Sequence, residues 1–403
     1  LSAAIVFWIS IGLIAYAYLG YPALLSLLAL TRPKQSYAPS HEPTITLLIA
    51  AHNEEAVIEK KLENSLALDY PKERLQILVA VDGAEDETAA IVGSYAGRGV
   101  ELSHAAQRSG KMAAINRAME GAHGEIVVFS DANNLYSEGT LREIAAPFAQ
   151  PEVGAVSGAK QVLEGDGVLA ASEGLYWKYE SFIKQQETRL SSCTAAAGEV
   201  LAIRRELFQA PPSDTINDDF FIAMQVIRQG YRVVYAPGAR SYERVSPSPR
   251  DERTRRARIV AGRFQALARL DEVLPRRNPW VVWQVLSHKF LRPLVPWFMA
   301  AALLANLGAV LWPSGTEGNA LAMLRSPYNG IFLALQLTFY GLAWLGRYVK
   351  LGGYAGKLLF LPTYLLNSNL AAVEGLLQFL RGQHSPQWER VPRHASTTDE
   401  QHG

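Results

Sequence analysis

The chain opens on an uncharged apolar stretch, Ala3–Leu30. Its length suffices to cross a hydrocarbon core of about 30 Å. No basic segment precedes it, which predicts a retained anchor rather than a cleaved leader. Tyr16, Tyr18 and Tyr21 suit a membrane interface, and Pro22 suits a kink. Arg32 and Lys34 follow at once and orient the helix with its C-terminal end toward the cytosol. From Pro43 the pattern changes. Short runs rich in β-branched residues appear at Ile45–Ile49, Leu75–Val81, Glu125–Ser130 and Val153–Ser157, separated by amphipathic stretches at Glu54–Leu68, Glu85–Ala96 and Lys111–Ala122. This alternation predicts a largely parallel sheet in an α/β domain. Ligands of such sheets bind beyond the carboxyl ends of the strands.

Three further apolar stretches follow, at about Pro293–Trp312, Pro327–Tyr348 and Leu358–Leu380. Before them lie a basic amphipathic region, Arg250–Arg277, and then Trp280, Trp283, His288, Lys289 and Arg292. Basic and aromatic residues beside a span predict helices lying in the cytosolic interface. The expected organisation is an N-terminal anchor (1–34), a cytosolic domain (43–249), interface helices (250–292), a C-terminal membrane region of about three spans (293–380) and a polar tail (381–403). Four spans put Arg347, Lys350 and Lys357 inside, in agreement with the positive-inside rule, whereas Arg381, Arg390 and Arg393 disagree. A re-entrant last stretch would instead put the C-terminus inside.

Charge and cysteine content narrow the classes. Lys and Arg number 39 against 38 Asp and Glu, a net charge of +1, which gives no reason to expect a nucleic-acid partner. The single cysteine, Cys193, excludes an intrachain disulfide framework and a CxxC metal site, and suits a reducing cytosol.

Candidate chemistry gathers where the strands end. The first ends in Ala50-Ala-His-Asn-Glu-Glu55, the second in Val79-Ala-Val-Asp-Gly83, and the third in Asp131-Ala-Asn133-Asn134; Thr215-Ile-Asn-Asp-Asp219 then opens a helix. A single Asp after a strand is usually a turn or cap residue. Acids at all these ends, with Lys111 among them, point to one shared cleft.

In the order and spacing of these segments the chain resembles the family-2 glycosyltransferases, in particular the membrane branch with cellulose, hyaluronan, chitin-oligosaccharide and poly-N-acetylglucosamine synthases. The resemblance spans about Pro43 to Gly262 and the placement of the apolar stretches. It implies a GT-A nucleotide-sugar-binding α/β domain flanked by transmembrane helices. By this resemblance His52-Asn-Glu54-Glu55 faces the nucleoside, and Asp82 takes uracil and ribose; as an acceptor for the uracil N3–H, Asp82 points to a UDP-sugar. Gly110-Lys111, with Asn116, meets the diphosphate. Asp131-Ala-Asn133 stands where the family has its metal-binding DxD; Mg²⁺ or Mn²⁺ takes carboxylate, amide and phosphate oxygens, so Asn133 can still be a ligand. Of Asp218-Asp219, the second is the implied general base. Arg255-Arg-Ala-Arg258-Ile259 lies where processive synthases carry QxxRW; Arg258 fits its arginine and Arg255 replaces the glutamine, both toward diphosphate. Ile259 replaces the tryptophan that helps form the acceptor site. Trp177, Tyr179 and Glu180 could line an acceptor groove, with core packing the favoured reading for the two aromatics.

The implied activity is inverting transfer from a UDP-sugar to a growing β-linked poly- or oligosaccharide. Single addition to a lipid or lipid-linked sugar is the alternative, and a non-catalytic membrane scaffold a third reading. The resemblance places the protein in the cytoplasmic (inner) membrane with its catalytic domain cytosolic, and allows a homo-oligomer or a secretion partner.

Overall fold

A computed structural model describes residues 2–37, 41–163, 168–244, 249–313, 318–349 and 353–382. Two helices open the chain, α1 (Ser2–Ala15) and α2 (Tyr21–Ala29), joined by a π-helical turn at Tyr16–Gly20. Then come β1 (Ile45–Ala51), α3 (Ile58–Leu66), β2 (Leu75–Asp82), α4 (Thr88–Ser94), β3 (Val100–Ala105), α5 (Lys111–Met119), β4 (Ile126–Asp131), β5 (Leu135–Tyr136) and α6 (Thr140–Ala145). The next elements are β6 (Val153–Leu163), α7 (Val168–Leu190), β7 (Leu201–Arg204), α8 (Asp218–Arg228), β8 (Arg232–Arg244) and α9 (Pro249–Ala268). Helices α10 (Leu270–Val273), α11 (Pro279–Gln284), α12 (Val295–Leu311), α13 (Tyr328–Leu345) and α14 (Gly353–Leu380) follow.

The chain divides into two compact units. The larger contains Leu28–Asp251 and Ala268–Val282, and is built on an eight-stranded sheet of order β3-β2-β1-β4-β7-β6-β8-β5. Strands β3, β2, β1 and β4 run parallel to one another, as the β-strand and helix alternation predicts. The other half departs from that expectation. β7 runs antiparallel to both β4 and β6, β6 pairs parallel with β8, and β5 returns antiparallel along β8. The sheet is therefore mixed, because β5 and β7 are short return strands.

Burial explains the parallel half. Every residue of β1 is buried, as are Ile77–Asp82 of β2, so these strands read as continuous apolar runs covered on both faces. Helix α3 starts at Ile58 rather than near Glu54, because Asn53 adopts a left-handed φ of 53° and residues 54–57 form a turn. Gly83 is also required: its φ is +58°, and a Cβ there would lie 2.4 Å from the backbone nitrogen of Arg108.

The smaller unit contains Leu1–Leu27, Glu252–Leu267 and Trp283–Gln383. Within it, Phe7 and Trp8 of α1 pack on Phe332 of α13 at ring distances of 5.3 and 5.5 Å. The Tyr16 hydroxyl accepts the indole N–H of Trp283 and lies 2.9 Å from the hydroxyl of Ser287, where a second π-helical turn runs over Val285–Phe290. Gly375 of α14 meets α9 backbone to backbone: a Cβ there would lie 2.5 Å from the carbonyl oxygen of Ala257. Among the described residues, the stretches Ser2–Ala29 and Pro279–Leu311 are long and apolar enough to cross a membrane, by length and composition. Helices α13 and α14 cover the other two apolar stretches of the sequence, and the tail beyond residue 382 lies outside the described residues.

Candidate active site

The site is built at the carboxyl ends of β1, β2 and β4, all in the larger unit. There, a small open cleft is lined by Ala51, His52, Asp82, Arg108, Gly110 and Lys111. Two loops are laced together at its mouth. Asn53 Oδ1 accepts the backbone N–H of Glu85 at 2.8 Å, and Thr88 Oγ1 accepts that of Glu54 at 2.8 Å. Asp86 closes a local turn and bridges the loops, accepting the backbone N–H groups of Thr88 (3.0 Å) and Glu55 (3.2 Å). His52 Nδ1 lies 2.6 Å from the carbonyl oxygen of Asp82.

Asp82 is 4 % exposed. Its carboxylate accepts the backbone N–H groups of Ser109 (3.0 and 3.1 Å) and Gly110 (2.6 Å). One acid at the end of β2 thereby holds the loop that delivers Arg108 and Lys111 to the cleft. Gly110 can turn there because its φ is +96°.

Lys111 opens α5, and its ammonium reaches 2.8 Å from Asp131 Oδ1 at the end of β4 and 3.6 Å from Asp218 Oδ2 at the start of α8. Burial alone would push the lysine pKa down. The negative charges of Asp131, Asp218 and Asp219 outweigh it, and the lysine ends up raised. Asp131 is itself raised: burial dominates, Lys111 opposes it, and Glu199 and Asp218 add repulsion. Asp219 lies next to Gly198, whose Cβ would come 3.4 Å from that of Asp219, and its Oδ1 accepts the backbone N–H of Phe220 at 2.7 Å.

A second set of charges continues from Asn133. Its amide donates to Glu243 Oε1 at 3.4 Å, and Glu243 pairs with Lys160. Lys160 lies 3.1 Å from Glu199 and 5.7 Å from the ring centre of Trp177. Beneath this layer, the fully buried Lys61 of α3 donates to the carbonyl (2.9 Å) and side-chain oxygen (3.2 Å) of Asn134. Burial lowers the Lys61 pKa to about 7, against the pull of Asp131.

The structure thus brings together Asp82, Lys111, Asp131, Asp218 and Asp219, with Glu54 in the loop beside them. Arg255 and Arg258 lie on the part of α9 that belongs to the smaller unit. There Arg255 pairs with Glu252 at 2.9 Å, and Nε of Arg258 is buried without a hydrogen bond. Glu180 is buried, whereas Trp177 and Tyr179 are half-buried. Sequence reasoning missed Lys61, Arg108, Lys160 and Glu243. Lys61 carried a signal, since it falls on the apolar face of α3 with Ile58, Leu62 and Ser65.

The fit to a hard cation can be read from the oxygen donors. Among the described residues, no group of three or more His, Cys, Asp or Glu is placed to hold a metal ion. Asp131 and the amide of Asn133 offer two protein oxygens. That suits Mg²⁺ or Mn²⁺ bound together with substrate phosphates, which needs only one or two protein carboxylates.

Comparison with known proteins gives a consistent result. A mannosyltransferase, PcManGT from Pyrobaculum calidifontis, solved in complex with GDP-Man and Mn²⁺, shares the fold with a TM-score of 0.70 at 24 % identity, covering 94 % of this chain and 99 % of that one. The beta-monoglucosyldiacylglycerol synthase of Synechocystis sp. is 27 % identical over 199 residues, 47 % of this chain and 42 % of that protein. The poly-beta-1,6-N-acetyl-D-glucosamine synthase of Staphylococcus aureus is 25 % identical over 202 residues, 48 % of each. The matches thus span about half the length of these relatives. The model of the glycosyltransferase-like family 2 matches residues 43–262, more than half of the chain and all of the cleft-forming strands; the chain belongs to that family, with a GT-A fold.

Proposed function

We propose that this protein is an inverting glycosyltransferase that takes a sugar from a UDP-activated donor and passes it to a hydroxyl acceptor at a membrane. The observation that carries this is the placement of Lys111, which lines a cleft with Asp82 beside the ends of parallel strands and faces Asp131, Asp218 and Asp219 from there. In this reading the nucleoside sits against His52, Glu54 and Asp82, with the base edge toward the Asp82 side of the cleft. Lys111 and Arg108 face the diphosphate. Asp131 and Asn133 would hold Mg²⁺ or Mn²⁺, which when bound neutralises charge on the leaving diphosphate. Asp219 takes the proton from the acceptor hydroxyl as its oxygen attacks the anomeric carbon. The bond to the diphosphate breaks on the opposite face, so the configuration inverts. Arg255 and Arg258 are assigned to the diphosphate by their position in the sequence motif.

Ile259 favours short products or a single addition, since an aliphatic side chain offers no aromatic face to a sugar ring. The acceptor is then a lipid, a lipid-linked sugar or a short β-linked glycan. The two stretches long enough to span a bilayer support an integral protein of the cytoplasmic membrane, and Arg32 and Lys34 after the first support a cytosolic catalytic domain.

The test is direct. Full-length protein in detergent is offered UDP-glucose, UDP-N-acetylglucosamine and GDP-mannose with Mn²⁺, and nucleotide release and product size are measured. Release of UDP with a lipid or short-glycan product is expected. Preference for GDP-mannose would overturn the uridine assignment, and long polymers from few initiations would overturn the short-product reading.

A further inference from the structure

Asn134 is completely buried, and its side chain uses every hydrogen-bonding valence it has. Its Oδ1 accepts from Ser130 Oγ (3.1 Å) and from Lys61 Nζ (3.2 Å). Its Nδ2 donates to Ser241 Oγ (2.6 Å) and to the backbone carbonyl of Glu199 (2.9 Å). One amide thus ties the end of β4 to β8, to the segment entering β7 and, through Lys61, to α3. Lys61 closes the arrangement: it also donates to the Asn134 carbonyl (2.9 Å) and lies 4.2 Å from the centre of the Tyr136 ring. The Tyr136 hydroxyl in turn donates to the same Glu199 carbonyl (2.7 Å).

The position of this hub is what gives it a role. On one side the turn it anchors carries Asp131 and Asn133. On the other, the Glu199 carbonyl fixes the backbone at Gly198–Glu199, against which Asp219 rests. Both acids face Lys111, and the backbone behind each of them meets at this hub. We propose that Asn134, held by the buried Lys61, is a positioning residue that fixes the placement of Asp131 relative to Asp219. This rests on the reading of Asp131 and Asp219 as the diphosphate-side carboxylate and the base. Lys61 suits the task because its two contacts require only two N–H groups, which both the ammonium and the neutral amine possess. A buried network of this kind is rigid when fully satisfied and costly when one member is lost.

The experiment compares Asn134→Asp and Lys61→Met with the full chain in detergent. Asn134→Asp keeps the shape but turns both donors into acceptors, facing the Glu199 carbonyl. Lys61→Met keeps the length and removes the donors. UDP affinity, measured by calorimetry without divalent metal, should stay within about twofold, because the nucleoside is assigned to Asp82, on another strand end. Turnover of the preferred sugar nucleotide should fall roughly 10²-fold with KM little changed, the scale on which a displacement of about 1 Å acts. The double variant should lose little more than either single one, as expected for two members of one unit. A purely structural role predicts the opposite: lower melting temperature, but wild-type kcat in the folded fraction well below it. Wild-type kcat in either folded variant would overturn the proposal; if Asn134→Asp does not fold, Lys61→Met decides alone. Full turnover in Asp219→Asn, measured alongside, would instead overturn the reading of the site beneath it.

Discussion

Lys111 and Asp131 form a part-buried ion pair, with the ammonium 2.8 Å from Oδ1, each side chain about one-sixth exposed or less. The lysine therefore occupies the side of Asp131 that faces the second acid, Asp218. A divalent cation on Asp131 has to compete with it, and a diphosphate is what can draw the lysine away. Lys111→Met should tighten Mn²⁺ binding in the absence of nucleotide and weaken UDP binding. A charge-assisted hydrogen bond is worth about 1.5–3 kcal/mol, so roughly tenfold or more in each is expected. Titration of Mn²⁺ by electron paramagnetic resonance, with and without UDP, measures both. Unchanged Mn²⁺ affinity would show that the two cations do not compete.

Asp219→Asn should lower single-turnover transfer by roughly 10²–10⁴ while leaving UDP affinity almost intact. Asp218 faces Lys111 at 3.6 Å, so Asp218→Asn should act on donor binding first and on the chemical step far less. The reverse ranking in folded protein would make Asp218 the base.

Asp82 and Gly83 should act together on the nucleotide. Asp82→Ala removes the acceptor for the Ser109 and Gly110 amides, and Gly83→Ala drives a Cβ into the Arg108 backbone at a φ of +58°. Both changes release the 108–110 loop, so both should weaken UDP binding, by calorimetry, at least tenfold for about 1.5 kcal/mol or more lost. Undiminished UDP binding in Gly83→Ala would separate the loop from the nucleotide.

Lys61 supplies a pH dependence whose sign is fixed. Its pKa is lowered by burial to about 7 in the folded protein, against an ordinary value of 10.5. Between these values the unfolded chain holds a proton that the folded chain lacks, so stability rises with pH across that window. Below about pH 7 the full cost of the buried charge is present. Thermal unfolding from pH 6.5 to 9 should therefore gain more with rising pH in the wild type than in Lys61→Met. Parallel curves would show that Lys61 is not the group responsible.

In the smaller unit, Gly375→Leu should force α14 and α9 apart, since even a Cβ would sit 2.5 Å from the Ala257 carbonyl and 2.7 Å from Val260. A backbone contact of that kind has no side-chain end to yield. A lower melting temperature in detergent is the expected outcome, and an unaltered melting temperature would refute the close contact.

How much of this was legible in the sequence follows from burial. β1, β2 and β4 announce themselves because strands covered on both faces are written as continuous apolar runs. β3 is an edge strand with mostly exposed or half-exposed residues, β7 is four residues long, and β5 only two, so none carries such a run. The acids at strand ends were found because the topology places strand ends at a site. Glu243 and Lys160 were not, because the mixed half of the sheet that brings them to Asn133 leaves no periodic mark. The helix expected from Glu54 starts later because Asn53 spends its side chain on Glu85, a contact between segments far apart in the chain. The assignment of Arg255 and Arg258 to the diphosphate stays a matter of motif position.

The antiparallel course of β7 has a consequence for synthesis. Leu201, its first residue, pairs with Phe129, so the segment entering β7 reaches the end of β4 only after a long detour of chain. A nascent polypeptide that has released β1 through β4 already possesses His52, Asp82, Lys111 and Asp131, but not yet Arg255 and Arg258. It has neither Asp218 nor Asp219. Under the proposed mechanism, the acid that activates the acceptor joins the site only after the nucleotide-facing strands have been made.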